Sequence, residues 1–344
     1  MMQKLLHKIA DNPNIIKALS SIFAIVAGLL VGLIIMFIAN PSGAIPGFFT
    51  ILAGGFNRGL RSMGDMLYYA TPIILTGLSV AFAFRTGLFN IGATGQLTVG
   101  AFVAVYIGYN WTFLGPVHWV IALLGGALAG ALWGAIPGLL KAFRNVHEVV
   151  ASIMLNYVAM WLVRILILGT IYAGSNEAHS PAESAQLPMF FLDSIFPARS
   201  SVNGGILITI LVVIIIHIIL NKTTLGYELK SVGFNRNAAR YAGMNEKRNI
   251  VLSMTIAGAL AGLAGAIIFL VGDKTLAPAR SLLQEGFTGI AIALLGLASP
   301  IGVFFAGVFY GSLEQGGYYL QTFEFEPQII DIIIAVIIYF AALA

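Results

Sequence analysis

The run Arg85-Thr-Gly-Leu-Phe-Asn-Ile-Gly-Ala-Thr-Gly-Gln96, continued by Leu97-Thr98-Val99-Gly100, sets Gly87, Gly92 and Gly95, then Gly100, and several uncharged hydrogen-bonding groups inside an apolar region. Non-helical backbone at membrane depth is tolerated only where it is buried in protein or lines a wet cavity. Such a break suits passage of a neutral polar solute rather than covalent chemistry. A second break follows the short apolar piece Gly286–Gly296, at Ser299-Pro300-Ile301-Gly302. Paired interrupted segments in corresponding halves of a chain are a pointer to a solute path. Phe89, Asn90, Gln96, Thr98 and Ser299 are path candidates on this pattern. Arg164, Glu314 and Asp331 lie in apolar stretches, where an ionisable residue is a functional candidate by default. Glu314, beside Gln315 and Gly316-Gly317, joins the path set; Arg164 and Asp331 fit a snorkelling or structurally paired role at least as well.

No residue set supports catalysis, and no cofactor is expected. The Gly-x4-Gly-Lys-Ser/Thr signature of a nucleotide-binding loop does not occur. Asp273-Lys-Thr275 continues as Leu276-Ala277, without the rest of an aspartyl-phosphate motif. The five histidines lack metal-ligand spacing, and the absence of cysteine excludes disulfides and thiolate sites.

The elements that must position these residues follow from composition. Of 344 residues, 59% are hydrophobic and only 9% charged, against roughly a quarter charged in a soluble domain. A soluble enzyme and a disordered chain are both excluded. The net charge of +4 is scattered among apolar runs and predicts no nucleic-acid binding. The expected fold is an all-α polytopic membrane protein with two related halves. Stretches long enough for a spanning helix lie at 19–39, 66–84, 96–113, 119–140, 149–170, 204–220, 250–271, 301–320 and 327–344. With the shorter 286–298 piece they make about ten crossings. The division is a leader over 1–18, then one transmembrane domain over 19–344. Its end at Ala344, inside an apolar run, reads as a truncation.

Lys4, Lys8, Lys17, Lys141, Arg144 and the cluster Lys222, Lys230, Arg236, Arg240, Lys247 and Arg248 assign the inner side. That leaves 171–203, with Glu177, Glu183 and Asp193, as an external loop and 221–249 as a cytoplasmic one. Gly126, Gly130, Gly134 and Gly138 form a close-packing ladder, and Gly28/Gly32, Gly258/Gly262 and Gly307/Gly311 repeat its spacing. Within 221–249, Asn235 predicts an N-cap, 236–242 a two-turn helix and Gly243 a left-handed C-cap. Ala238, Ala239 and Ala242 supply small positions for contact with a partner.

Together, Arg85–Gly100, the Gly226–Gly243 loop and Gly286–Gly302 resemble the permease subunits of bacterial ABC importers of the ribose, nucleoside and branched-chain amino-acid superfamily. Gly-Leu-Phe-Asn-Ile-Gly followed by Gly-Gln is similar to the nucleoside (guanosine-type) branch. Ala93-Thr94, where relatives often carry an acidic residue, departs from the pattern. The resemblance implies a multi-pass plasma-membrane subunit that hydrolyses nothing itself. It also implies a second permease subunit, a cytoplasmic ABC ATPase and an extracytoplasmic substrate-binding lipoprotein as partners, with lipid around the spans. Asn235, Arg236, Ala238, Ala239, Arg240, Tyr241 and Gly243 would then form the helix that couples to the ATPase. The alternative is an ion-coupled secondary transporter acting alone, which needs a titrating acid such as Glu314 or Asp331.

Overall fold

The computed structural model describes residues 13–197, 200–272, 274–278 and 280–342. Lys4, Lys8, Arg199, Asp273, Leu343 and Ala344 lie outside the described residues, as do the side chains of the first helical turns, including Lys17.

Helices α1 (Pro13–Ala39), α2 (Pro41–Ala53), α3 (Leu60–Arg85), α4 (Ala93–Asn110), α5 (His118–Arg144), α6 (Glu148–Thr170) and α7 (Gly205–Lys222) lead into two short ones, α8 (Thr224–Phe234) and α9 (Arg236–Tyr241). Then come α10 (Glu246–Phe269), α11 (Glu285–Leu295), α12 (Pro300–Leu320) and α13 (Pro327–Ala342). A small antiparallel hairpin, β1 (Tyr172–Gly174) and β2 (Glu177–Ala178), marks one end of the bundle; α8 and α9 mark the opposite, basic end. Five of the long helices are apolar and long enough to span a bilayer by composition alone.

Packing orders the remainder. Gly28 lies against Ile337 and Gly32 against Ile333, so α1 and α13 run antiparallel. Ser62 bonds Tyr319 at 2.8 Å while Gly307 meets Ile74, so α3 and α12 do too. Gly289 against Thr76 and Ala298 beside Arg85 make α11 parallel to α3. With its 11 residues, α11 covers only about 16 Å; the chain reaches it from the hairpin end through a connection whose described residues, 270–272, 274–278 and 280–284, are non-helical. The chain thus runs end to end ten times among the described residues, with 286–298 as a crossing and with Pro13 and Ala342 both toward the basic end.

Besides a single turn at Leu192–Ile195, two longer helices lie outside the expected set. Proline- and glycine-containing α2 descends from the hairpin end beside α12, with Gly47 near Leu320 and Gly316 against Ile51, and then turns back. Helix α8 fills the first half of the basic loop, capped by Thr223, whose hydroxyl accepts from the Gly226 N–H at 3.2 Å.

The glycine ladder packs inside the protomer. A Cβ on Gly130 would fall 2.4 Å from the Gly258 carbonyl oxygen, and one on Gly100 2.4 Å from the Gly262 Cα. Backbones of α4, α5 and α10 therefore touch, the arrangement that small residues permit when hydrocarbon surrounds the helices. Arg164 donates to the Pro278 carbonyl and fastens 270–284 to α6.

Candidate functional site

Between α3, α10, α11 and α12 lies a chamber of about 220 Å³. Its walls are Tyr68, Tyr69, Pro72 and Ile73 from α3, Ile267 and Ile268 from α10, Gln284, Glu285 and Thr288 around the start of α11, and Tyr310 and Glu314 from α12. Asn203 and Lys274, from connections at the hairpin end, complete it. Tyr310 and Glu314 are four residues apart and so share a helix face; the tyrosine hydroxyl donates to the carboxylate. The rings of Tyr68 and Tyr69 meet edge to face at 5.5 Å, and the Lys274 ammonium sits 5.7 Å from the Tyr68 ring centre. Flat rings offer stacking surface, carboxylates accept from hydroxyls, and amides both donate and accept. That mixture suits a polar solute with an aromatic or ring face.

Of the expected path residues, only Glu314 reaches this chamber. Asn90 and Gln96 are fully enclosed and answer each other: Asn90 Nδ2 donates to Gln96 Oε1 at 2.8 Å, and Gln96 Nε2 to Asn90 Oδ1 at 3.0 Å. Asn90 also donates to Ser79 Oγ, which donates to the Ala257 carbonyl at 2.6 Å. The pair is a polar clasp joining the first break to α3 and α10. Thr98 is buried and donates to the Thr94 carbonyl of its own helix. Phe89 stacks on Phe84 at 5.3 Å. Ser299 stands half-buried at the second break, where it opens α12 without a side-chain cap bond. The breaks therefore hold the site's frame, and its lining comes from helix faces. Tyr310, one turn before Glu314, and the paired Tyr68-Tyr69 inside an apolar span were the sequence signals for the lining; Thr288, Gln284 and Lys274 carried none.

The two breaks are joined, since Arg85 Nε donates to the Ala298 carbonyl at 2.9 Å. Helix α8 sits directly on the first. A Cβ on Gly233 would lie 2.6 Å from the Arg85 carbonyl oxygen, and Gly87, at φ 68°, meets Gly233. Helix α9 is capped as its residues dictate. Asn235 accepts from the Ala238 N–H at 3.1 Å. Gly243 takes φ 82°, with Gly243 N–H to Arg240 and Met244 N–H to Ala239, both 3.0 Å, the two bonds of a Schellman ending.

Ala239 does not face outward. It is 3% exposed in a cluster with Leu88, Val232, Ile250 and Met254, so it packs α9 onto the bundle. Ala238, Arg240 and Ala242 are exposed and Arg236 is half-buried. The open surface is led by Tyr241, 95% exposed, and Phe234, 90% exposed.

Among known proteins, the chain is 42% identical over 322 residues to the guanosine ABC transporter permease protein NupP of Bacillus subtilis, covering 93% of this chain and 92% of that one. It is 34% identical over 335 residues to the nucleoside ABC transporter permease protein NupB of Lactococcus lactis, covering 95% and 91%. It is also 34% identical over 286 residues to the glucose ABC transporter permease protein TsgB13 of Haloferax volcanii, covering 80% and 74%. No solved structure matches. The family described as branched-chain amino acid transport system / permease component matches residues 62–342, most of the ten-crossing bundle with both breaks and the α8–α9 segment. This multi-pass membrane protein is a member of that permease family.

Proposed function

We propose that this chain is the membrane subunit of an ATP-driven importer of nucleosides. The basic end faces the cytoplasm, α8 and α9 dock on a separate ABC ATPase, a second permease subunit stands beside the chain, and an external lipoprotein delivers solute at the hairpin end. Solute passes through the Tyr69–Tyr310–Glu314 chamber.

The observation that carries this reading is the seat of α8 on the first break. A push on the exposed Phe234 and Tyr241 bears directly on Gly87, and through Arg85 on Ala298 in the second break. That is how ATP-dependent closure of a partner would reach the spans. Nucleoside rather than free sugar is supported by two similar relatives named for guanosine and nucleoside, and by tyrosine rings that can stack on a base while Glu314 takes ribose hydroxyls.

Reconstitution tests it. Proteoliposomes holding the permease pair, ATPase and lipoprotein should concentrate guanosine only with ATP, and should prefer it to glucose. Uptake by this chain alone, driven by an imposed ion gradient, would replace the importer with a secondary transporter.

A further inference from the structure

The chamber carries more charge than the binding of a neutral solute requires. Glu285 and Glu314 line it against a single ammonium, that of Lys274. Two further carboxylates bear on the same walls: Asp65 of α3 acts electrostatically on Tyr69, and Asp331 of α13 acts on Glu314. Asp65 is fixed in place, accepting from the Ser201 N–H at 2.8 Å. Lys274 cancels none of these charges pairwise. It sits over the Tyr68 ring, and the one ion pair within 4 Å among the described residues is Lys141–Glu148.

The lining also holds hydrogen-bonding capacity that the protein does not use. Asn203 is 5% exposed, and its Oδ1 accepts from the Gly205 N–H at 2.8 Å, while its Nδ2 has no partner among the described residues. The Glu285 carboxylate, half-buried in the first turn of α11, accepts no hydrogen bond from any of them either. A ligand that answers both groups must bring O–H or N–H donors to the carboxylates and an acceptor to the amide. Ribose hydroxyls and base edges supply both. A phosphate monoester, largely dianionic near neutral pH, brings more negative charge into a space that already has an excess. Between low-dielectric walls that repulsion is stronger than in water.

We propose that the chamber filters solutes by charge, admitting uncharged nucleosides and rejecting their 5′-monophosphates, with Glu285 and Glu314 as the specificity-determining residues. The choice of nucleosides rests on the importer reading; the filter is a property of the walls and can be measured without uptake.

Thr288 lines the chamber one turn from Glu285, and Thr288→Cys is the sole thiol of a chain that otherwise has none. In the assembled importer without ATP, its rates of reaction with a trimethylammonium and with a sulfonate methanethiosulfonate are each divided by the rate for a free thiol. The cationic reagent should be favoured about tenfold, Glu285→Gln should cut that preference about threefold, and Glu285→Asp should keep it, because walls of one sign focus the field on the space between them. A preference within about twofold of the free thiol, or one that Glu285→Gln leaves unchanged, overturns the proposal. As a second measurement, guanosine should slow the labelling about threefold, and guanosine 5′-monophosphate at equal concentration should not, as like charge suppresses the wrong ligand. Equal protection by the two also overturns it. Protection by neither, with the charge preference and its loss in Glu285→Gln both as expected, counts against the importer reading alone.

Discussion

Asn90 and Gln96 satisfy each other's amides where no water competes, and removing either leaves its partner with buried, unanswered polar atoms. Such an orphan costs about 1–3 kcal/mol. Asn90→Ala should therefore lower the detergent melting temperature while the flux ratio of guanosine to ribose and to free base stays unchanged. A shifted ratio at constant melting temperature would return Asn90 to the path. Glu314 is the reverse case. Glu314→Gln keeps an acceptor for Tyr310 but removes the charge available to a solute hydroxyl, and a hydrogen bond to a charged group contributes about 1.5–3 kcal/mol. Guanosine flux should fall at least tenfold with melting and assembly intact; normal flux would remove Glu314 from the path. Residue type alone did not separate these roles. An amide in a glycine-rich break can line a cavity or close on a neighbour, and the matter is decided by Ser79 on the preceding helix, itself held by Ala257 from distant α10.

At the scale of elements, apolar length made the spans legible, and a spacing of four made the ladder legible, because both are local consequences of helix geometry. Gly262 shows the ladder's cost of change: a Cβ there would lie 2.4 Å from the Gly126 carbonyl oxygen. Gly262→Val should abolish recovery of folded protein, since overpacking against rigid backbone costs typically 1–3 kcal/mol or more. Gly169→Val, with nothing within 4 Å of the added carbon, should be recovered normally. Equal yields would mean that α5 and α10 are not in backbone contact. The cap of α9 was legible as well, because Asn235 and Gly243 act on their own backbone. Its orientation was not. Alanine fits either face of a helix, and the burial of Ala239 depends on Leu88 and Met254. Helix α2 escaped because Pro41, Gly43, Pro46 and Gly47 read as a loop, while α12 stabilises it as a re-entrant helix. The face we propose for ATPase contact is therefore the exposed Phe234 and Tyr241. Phe234→Ala with Tyr241→Ala should leave melting unchanged and cut ATPase co-purification about tenfold, as loss of exposed aromatic anchors does at interfaces. Unimpaired binding would show that this end is merely solvated.

For the whole molecule, the parity of ten crossings places the start of α1, the end of α13 and the basic α8–α9 segment together, and sets the chamber in the half of the bundle that opens toward the hairpin end. Lys141, Arg144 and the cluster from Lys222 to Arg248 lie together at one end of the bundle, where the basic loops were expected to share a side. The chamber as a whole was not legible: its walls come from four helices and two connections, and only the Tyr310–Glu314 and Tyr68–Tyr69 pairs are local. The most direct test of the account asks whether solute occupies that chamber. Thr288→Cys is the sole thiol in the chain, and its reaction with a small, membrane-impermeant methanethiosulfonate is timed from the hairpin side of the reconstituted importer. The account predicts that the lipoprotein loaded with guanosine, with ATP present, slows the reaction at least threefold, and that glucose does not. An unchanged rate while guanosine uptake proceeds normally would contradict it.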